Sequence, residues 1–270
     1  MLQTELSKRI RLSNMQLLSQ KRDSFAHFTL KKDGKIFRDS PTISEDGKVF
    51  KKKELIYQLD LDQEVLASSF VLNLQKGTVK ALVDKDDAFP EVLEQEMKGK
   101  KLSLKKQKDN WVVSADDIPL VSIHEGHLVE LNLPTTKKIG DKFLFSRNSC
   151  VRSITCPVIE EIGNFFLVPS SCWLENLEAP HLKRVGNFFC YNAQSIKQLN
   201  LPTLEEVGDS FFFAASKLSP KTINMPCLKK IGRDFMEENK RNLGPLLLSW
   251  NEFEQKKFRC ILVGKDNERS

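Results

Sequence analysis

One signature recurs five times between residues 134 and 235, and it leaves the chain few folds to choose from. An Ile-Gly or Val-Gly pair occurs at Ile139-Gly140, Ile162-Gly163, Val185-Gly186, Val207-Gly208 and Ile231-Gly232, with spacings of 23, 23, 22 and 24 residues. Six residues before each glycine stands Pro134, Pro157, Pro180, Pro202 or Pro226. Three residues after it stands Phe143, Phe166, Phe189, Phe211 or Phe235. Three positions held through five copies make a repeat array, in which each unit buries its apolar face only by stacking on its neighbours.

Each unit opens with an apolar-x-x-apolar-x-apolar stretch, as in Leu128/Leu131/Leu133, Val151/Ile154/Cys156, Leu174/Leu177/Ala179 and Ile196/Leu199/Leu201. The final alternation reads as a short strand with one buried face. The proline ends that strand, because it has no N–H to give to a ladder. A second short apolar stretch follows, and the glycine is expected to permit a sharp turn. Asp141, Asn164, Asn187 and Asp209 come next, where a side-chain oxygen is expected to cap a helical turn; the fifth unit has Arg233 instead. The phenylalanines should then point inward and stack coil upon coil. That accounts for a composition of 18 Phe against 2 Tyr, with ten of the Phe between residues 143 and 235.

The two residues before each Ile/Val-Gly are Lys137-Lys138, Glu160-Glu161, Lys183-Arg184, Glu205-Glu206 and Lys229-Lys230. Their sign alternates with every coil. Stacked coils bring equivalent positions to about 4.8 Å from one another, so each acidic pair should lie between two basic ones. A slip of one coil would set like charges side by side.

The segment from about 120 to 240 resembles a leucine-rich-repeat array, most closely the bacterial BspA-like class, with its P-x-x-[LI]-x-x-[IV]-G-x-x-x-F flavour. The ordinary leucine-rich repeat has Asn or Cys three residues after the strand; here that place holds Thr136, Ile159, Leu182, Leu204 and Leu228. The resemblance implies an α/β repeat, a leucine-rich-repeat solenoid of about five units of 22–24 residues. It implies binding rather than catalysis, and a bacterial protein delivered into a host cell as an effector. The expected binding surface is the outward strand face, formed by Glu130, Asn132, Ser153, Thr155, Asn176, Glu178, Gln198, Asn200, Thr222 and Asn224. These side chains are small, polar and mostly uncharged, and solenoids use such a strip for extended protein ligands.

The flanks complete the domain reading: an N-terminal α+β domain over 1–110, the solenoid over 111–240, and a C-terminal cap over 241–270 with Cys260-Ile261-Leu262-Val263 as a closing strand. Residues 1–22 read as a helix with Leu2, Leu6, Ile10, Leu17 and Leu18 on its apolar positions. Asp33-Gly34 and Asp46-Gly47 mark turns between strands. Leu61 to Gln75 reads as a helix, and so does Pro90 to Lys98 with Gly99 as its stop. Lys101–Lys106 and Trp111–Ser114 read as a hairpin.

Charge and cysteine bound the chemistry. The net charge of +6 is carried by residues 1–110, with 22 basic and 17 acidic side chains, and by the last thirty. An excess that small, without a motif, does not point to nucleic acid. Six lysines between Lys98 and Lys108 read as a solvated hairpin, no aromatic being interleaved with them. No apolar run is long enough for a bilayer span, and no signal-peptide stretch is seen. Cysteines 150, 156, 172, 190, 227 and 260 show no metal-like spacing and read as small buried thiols of a soluble protein in a reducing compartment.

His124-Glu125-Gly126-His127 lacks the four-residue spacing of the helical zinc motif. No catalytic residue, metal site or cofactor is therefore assigned. The expectation is a monomeric, non-catalytic solenoid that binds a protein partner, secreted into a host without a cleaved signal peptide. The alternative is an enzyme, such as a transferase, with its chemistry in residues 1–110 and the solenoid selecting substrate.

Overall fold

The computed structural model describes residues 5–12, 28–43, 49–67, 70–82, 86–145, 150–168, 173–218 and 222–239. The chain divides into two compact units: Met1–Lys85 with Met97–Leu128, and Asp86–Glu96 with Val129–Ser270. The expected cap over 241–270, Cys172, Cys260 and the Asp46-Gly47 turn lie outside the described residues.

In the first unit, helix α1 (residues 5–12) falls within the stretch expected to be helical and buries Ile10. Strands β1 (Phe28–Leu30), β2 (Lys35–Ile43) and β3 (Val49–Gln58) form an antiparallel sheet. Gly34 begins the return with φ +82°, where a Cβ would stand 2.8 Å from the Leu59 carbonyl oxygen. The described residues between 61 and 75 are not helical. They hold β4 (Glu64–Ala67) and β5 (Phe70–Asn73), paired antiparallel and continued by β6 (Thr78–Ala81). Val65-Leu66-Ala67 and all of β5 are buried, and an unbroken apolar run carries no period to separate strand from helix. Ile36, Leu59, Leu66 and Val71 form a buried cluster. The expected hairpin is present as β7 (Leu102–Gln107) and β8 (Asn110–Ala115), and β9 (Ile118–His124) pairs with β8. Strand pairing thus ties residues 110–124 to β7, and the second unit starts within β10 (His127–Asn132).

The second unit is a β-solenoid of about four turns. Its first face stacks β10, β12 (Ser153–Thr155) and β14 (Asn176–Glu178) in parallel, with β16 (Leu199–Asn200) and β18 (Ile223–Asn224) paired beyond them. Its second face stacks β11 (Lys138–Ile139), β13 (Glu161–Ile162), β15 (Arg184–Val185) and β17 (Glu206–Val207), also parallel, and a bridge joins Glu206 to Lys230. Between the faces, the residue after each strand is buried: Leu133, Cys156, Ala179, Leu201 and Met225.

The helical turn expected after the glycines of the first four coils does not form; among the described residues the coils are β-structure and turns with little helix, the short 3-10 helix Glu237–Asn239 following the fifth phenylalanine. Each inward Phe is flanked by two left-handed residues: Lys142 and Leu144, Phe165 and Leu167, Phe188 and Cys190, Ser210 and Phe212, Asp234 and Met236, with φ between 46° and 59°. Alternating left-handed positions cannot propagate a right-handed helix. The backbone is satisfied from coil to coil instead. The first left-handed N–H donates to the next coil, as from Phe165 to the Asn187 carbonyl at 2.8 Å. The second donates to the previous coil, as from Cys190 to the Phe166 carbonyl at 2.8 Å.

The expected cap residues serve the same stacking. Asp141 Oδ1 accepts the Asn164 N–H at 2.7 Å, Asn164 Oδ1 accepts that of Asn187 at 2.8 Å, and Asn187 Oδ1 accepts that of Asp209 at 2.8 Å. Asp209 Oδ1 then accepts the Arg233 N–H at 2.7 Å, and its other oxygen meets the Arg233 guanidinium at 2.8 Å. Those Arg233 contacts hold the Asp209 carboxyl below its ordinary range. A side-chain ladder thus exists at the residue after each glycine.

Gly163, Gly186, Gly208 and Gly232 are required by close approach rather than by left-handed backbone, whereas Gly140, in the first coil, meets nothing nearer than the Ala88 Cβ at 4.0 Å. A Cβ on Gly186 would lie 2.7 Å from the Asn164 nitrogen and 2.7 Å from the Gly163 carbonyl carbon. Both are backbone atoms that cannot swing aside. Gly186→Ala should therefore lower stability by about 1–3 kcal/mol through overpacking, measured by chemical denaturation. An unchanged midpoint would show that the coils are not this close.

The inward phenylalanines form one stack. Successive ring centroids of Phe143, Phe166, Phe189, Phe211 and Phe235 are 5.3, 5.0, 5.5 and 5.4 Å apart, with interplanar angles of 4–11°. The alternating charges meet as expected. Lys138 pairs with Glu161 at 3.1 Å, Glu161 pairs with Arg184, Lys183 pairs with Glu160 at 2.8 Å, and Lys229 pairs with Glu205 at 3.1 Å. Lys183 holds the Glu160 carboxyl below its ordinary value. These pairs are exposed and individually weak, but they specify the one-coil register. Reversing Glu160 and Glu161 to Lys should lower the melting temperature, more so at low ionic strength than in 1 M salt. An equal effect at both would count against the ladder.

Candidate interaction face of the solenoid

The first coil needs a covering on its N-terminal side, and an eleven-residue stretch supplies it. Residues Asp86–Glu96 belong to the solenoid unit although the chain on either side of them does not. Helix α2 (Phe89–Met97) lies here, close to the expected helix from Pro90 to Lys98. Asp87 accepts the N–H groups of Phe89, Leu144 and Phe145 at 2.8, 3.0 and 3.1 Å, so its carboxylate starts the helix and replaces the acceptor a preceding coil would give to Leu144. Phe89 packs edge-on against Phe143 at 5.8 Å and begins the aromatic column. Glu96, fully buried, accepts the Thr135 N–H at 2.9 Å and the Thr135 and Thr136 hydroxyls at 2.7 and 2.6 Å. Burial alone would push the Glu96 carboxyl up, but the threonine donors outweigh it and hold it below the usual range. This capping role left no trace in the sequence period, because it occurs once.

With the first coil covered, the first face presents its outward side chains in two columns. Strand register places Glu130, Ser153 and Asn176 in one, and Asn132, Thr155 and Glu178 in the other. Asn200 and Asn224 are register partners further along, joined by an Asn224 Nδ2 to Asn200 Oδ1 hydrogen bond of 2.7 Å. Gln198 and Thr222 immediately precede β16 and β18 rather than lying within them. All ten side chains are exposed or half-buried, and the residues between the columns, Leu131, Ile154, Leu199 and Ile223, are buried. Leu177 alone on this inner row is half-buried. At the margin of the middle coil stands Trp173, 52% exposed, with Glu175 and Asn176 just after it. The repeat period does not single out this Trp, because no other coil has one at the equivalent place.

The second face carries a groove of about 580 Å³ floored by Gly140, Gly163, Gly186 and Gly208. Its walls are the charge ladder and the Asp/Asn ladder, whose groups are already engaged with one another.

His124 Nδ1 lies 3.0 Å from Asn110 Oδ1, and Glu125 and Gly126 make the tight turn between β9 and β10 with φ 49° and 80°. Among the described residues no group of three or more His, Cys, Asp or Glu is arranged to hold a metal ion. The four described cysteines are free thiols. Cys156 and Cys190 are buried as expected, whereas Cys150 is half-buried and Cys227 is exposed. Cys227 follows Pro226 at an outward turn position that other coils fill with Thr135, Val158, His181 and Thr203. Burial, with Glu96 nearby, pushes the Cys156 thiol up to about 12, so it is inert at neutral pH. No described helix is long and apolar enough to cross a membrane. Comparison with family models, curated proteins and solved structures finds no match for this chain.

Proposed function

We propose that the protein is a non-catalytic interaction protein whose solenoid binds a protein partner across the outward face of β10, β12, β14, β16 and β18. The observation that carries this reading is the pair of in-register polar columns, Glu130/Ser153/Asn176 and Asn132/Thr155/Glu178, continued by Gln198, Asn200, Thr222 and Asn224. A row of repeating, surface-held side chains on a rigid stack suits an extended ligand. The finer assignment follows the repeat: its Pro, Gly and Phe spacing is that of a BspA-like leucine-rich repeat, and the protein acts as a bacterial effector inside a host cell.

Affinity capture with the full chain tests the binding face. Wild type is compared with the triple variant Asn176→Lys, Gln198→Lys, Asn200→Lys and with a control variant, Glu205→Gln, on the second face. Both variants should melt as wild type within a few degrees. The triple variant should lose its partner at least tenfold while the control keeps it. Equal capture by all three would remove the strand face from the interaction.

A further inference from the structure

The chemistry of the strand face narrows what it contacts. A protein interface draws its affinity from apolar anchors near its centre, held in dry pockets. The two columns offer none: their side chains are Ser, Thr, Asn, Gln and Glu. In the second unit, the one large apolar side chain well exposed among the described residues is Trp173, beside the middle coil. About half of its surface is exposed, and no other described ring stacks on it.

An indole beside a field of amides, hydroxyls and carboxylates matches a sugar chain. A pyranose ring has an apolar C–H face, which packs on the flat indole, and a rim of hydroxyls. Asn and Gln side chains both donate and accept, as each hydroxyl on that rim does. Glu130 and Glu178 add acceptors at either end of the first three coils. Neighbouring coils repeat at roughly 4.8 Å, close to the length of one sugar residue in an extended chain. Successive sugars can therefore meet successive coils. An anionic sugar is disfavoured, because the columns hold two carboxylates and no base.

We propose that Trp173, with Asn176, Gln198 and Asn200, forms a binding site for a linear neutral glycan carried by the protein partner. This rests on the reading of the strand face as the binding surface and specifies which part of the partner that face contacts.

The test applies the full-length protein to an array of immobilised linear neutral oligosaccharides, as wild type, Trp173→Ala and Trp173→Phe. Trp173 is exposed, so both variants should melt as wild type. Wild type should bind at least one of these glycans saturably. Trp173→Ala should weaken the signal tenfold or more, and Trp173→Phe should restore part of it. No signal on any glycan, or a signal unchanged in Trp173→Ala, overturns the glycan site. A second arm keeps the two readings apart. If the captured partner still binds after enzymatic removal of its glycans, and the triple lysine variant still loses it, the glycan site fails and the strand-face reading stands. If the triple lysine variant keeps its partner, the strand-face reading itself fails.

Discussion

Replacing Phe189 by Ala is expected to cost about 3–5 kcal/mol, the range for truncating a fully buried aromatic. The ring stacks on Phe166 at 5.0 Å and on Phe211 at 5.5 Å, and meets the edge of Phe212 at 5.7 Å. One truncation in the middle of the column thus removes contacts in two coil-to-coil interfaces at once. Solenoid stability is close to a sum of such nearest-neighbour terms, so the array should lose cooperativity as well as stability. Denaturant unfolding should show a lower midpoint and a broader transition. A midpoint within error of wild type would mean that the Phe column does not hold the coils together.

The second large effect is expected at Glu96. Glu96→Gln keeps the size of the side chain but presents an NH₂ group to donors that need an acceptor. Hydrogen bonds to a charged group contribute about 1.5–3 kcal/mol, and at least one should be lost at neutral pH. The pH dependence separates this from a packing effect. The native Glu96 carboxyl is held below its ordinary value of 4.5. Its contribution is therefore fully present above 4.5 and lost as pH falls through the lower native value. The stability gap between wild type and Glu96→Gln should be widest near pH 7 and close on acidification. A gap that stays constant down to pH 3 would exclude a carboxylate cap.

These two residues also show what a single sequence discloses about such a fold. Phe189 was legible because packing imposes the same residue at the same place in every coil, and repetition separates that demand from composition. The strand columns and the charge ladder were legible for the same reason. Glu96 was not, because the cap is made once, from a stretch at residues 86–96 far from the coil it covers. Asn164 was read as a helix cap because its oxygen has two possible targets, a nearby N–H in its own coil or the Asn187 N–H one coil away. The spacing of a repeat does not distinguish them until the coils are stacked. Gly186 illustrates the same ambiguity: glycine serves both tight turns and close approaches, and here the approach of Asn164 decides. The strand hairpin over Glu64–Asn73 was missed for a different reason, since both of its strands are apolar almost throughout.

The polar columns, the Phe stack and the charge ladder exist together only in one register, with each coil set over the next by a single repeat. A pair of introduced cysteines reads that register directly. Glu161 and Arg184 are register partners on β13 and β15, and Glu206 is the partner of Arg184 one coil further on. Directly paired positions fall within the Cα separation a disulfide tolerates, about 4.4–6.8 Å, whereas positions two coils apart do not. Mild oxidation of the Glu161→Cys, Arg184→Cys variant should give an intramolecular disulfide, identified by peptide mass mapping, and the Glu161→Cys, Glu206→Cys variant should remain reduced. A disulfide formed by the second pair and not the first would contradict the one-repeat stack, and with it the binding face it creates.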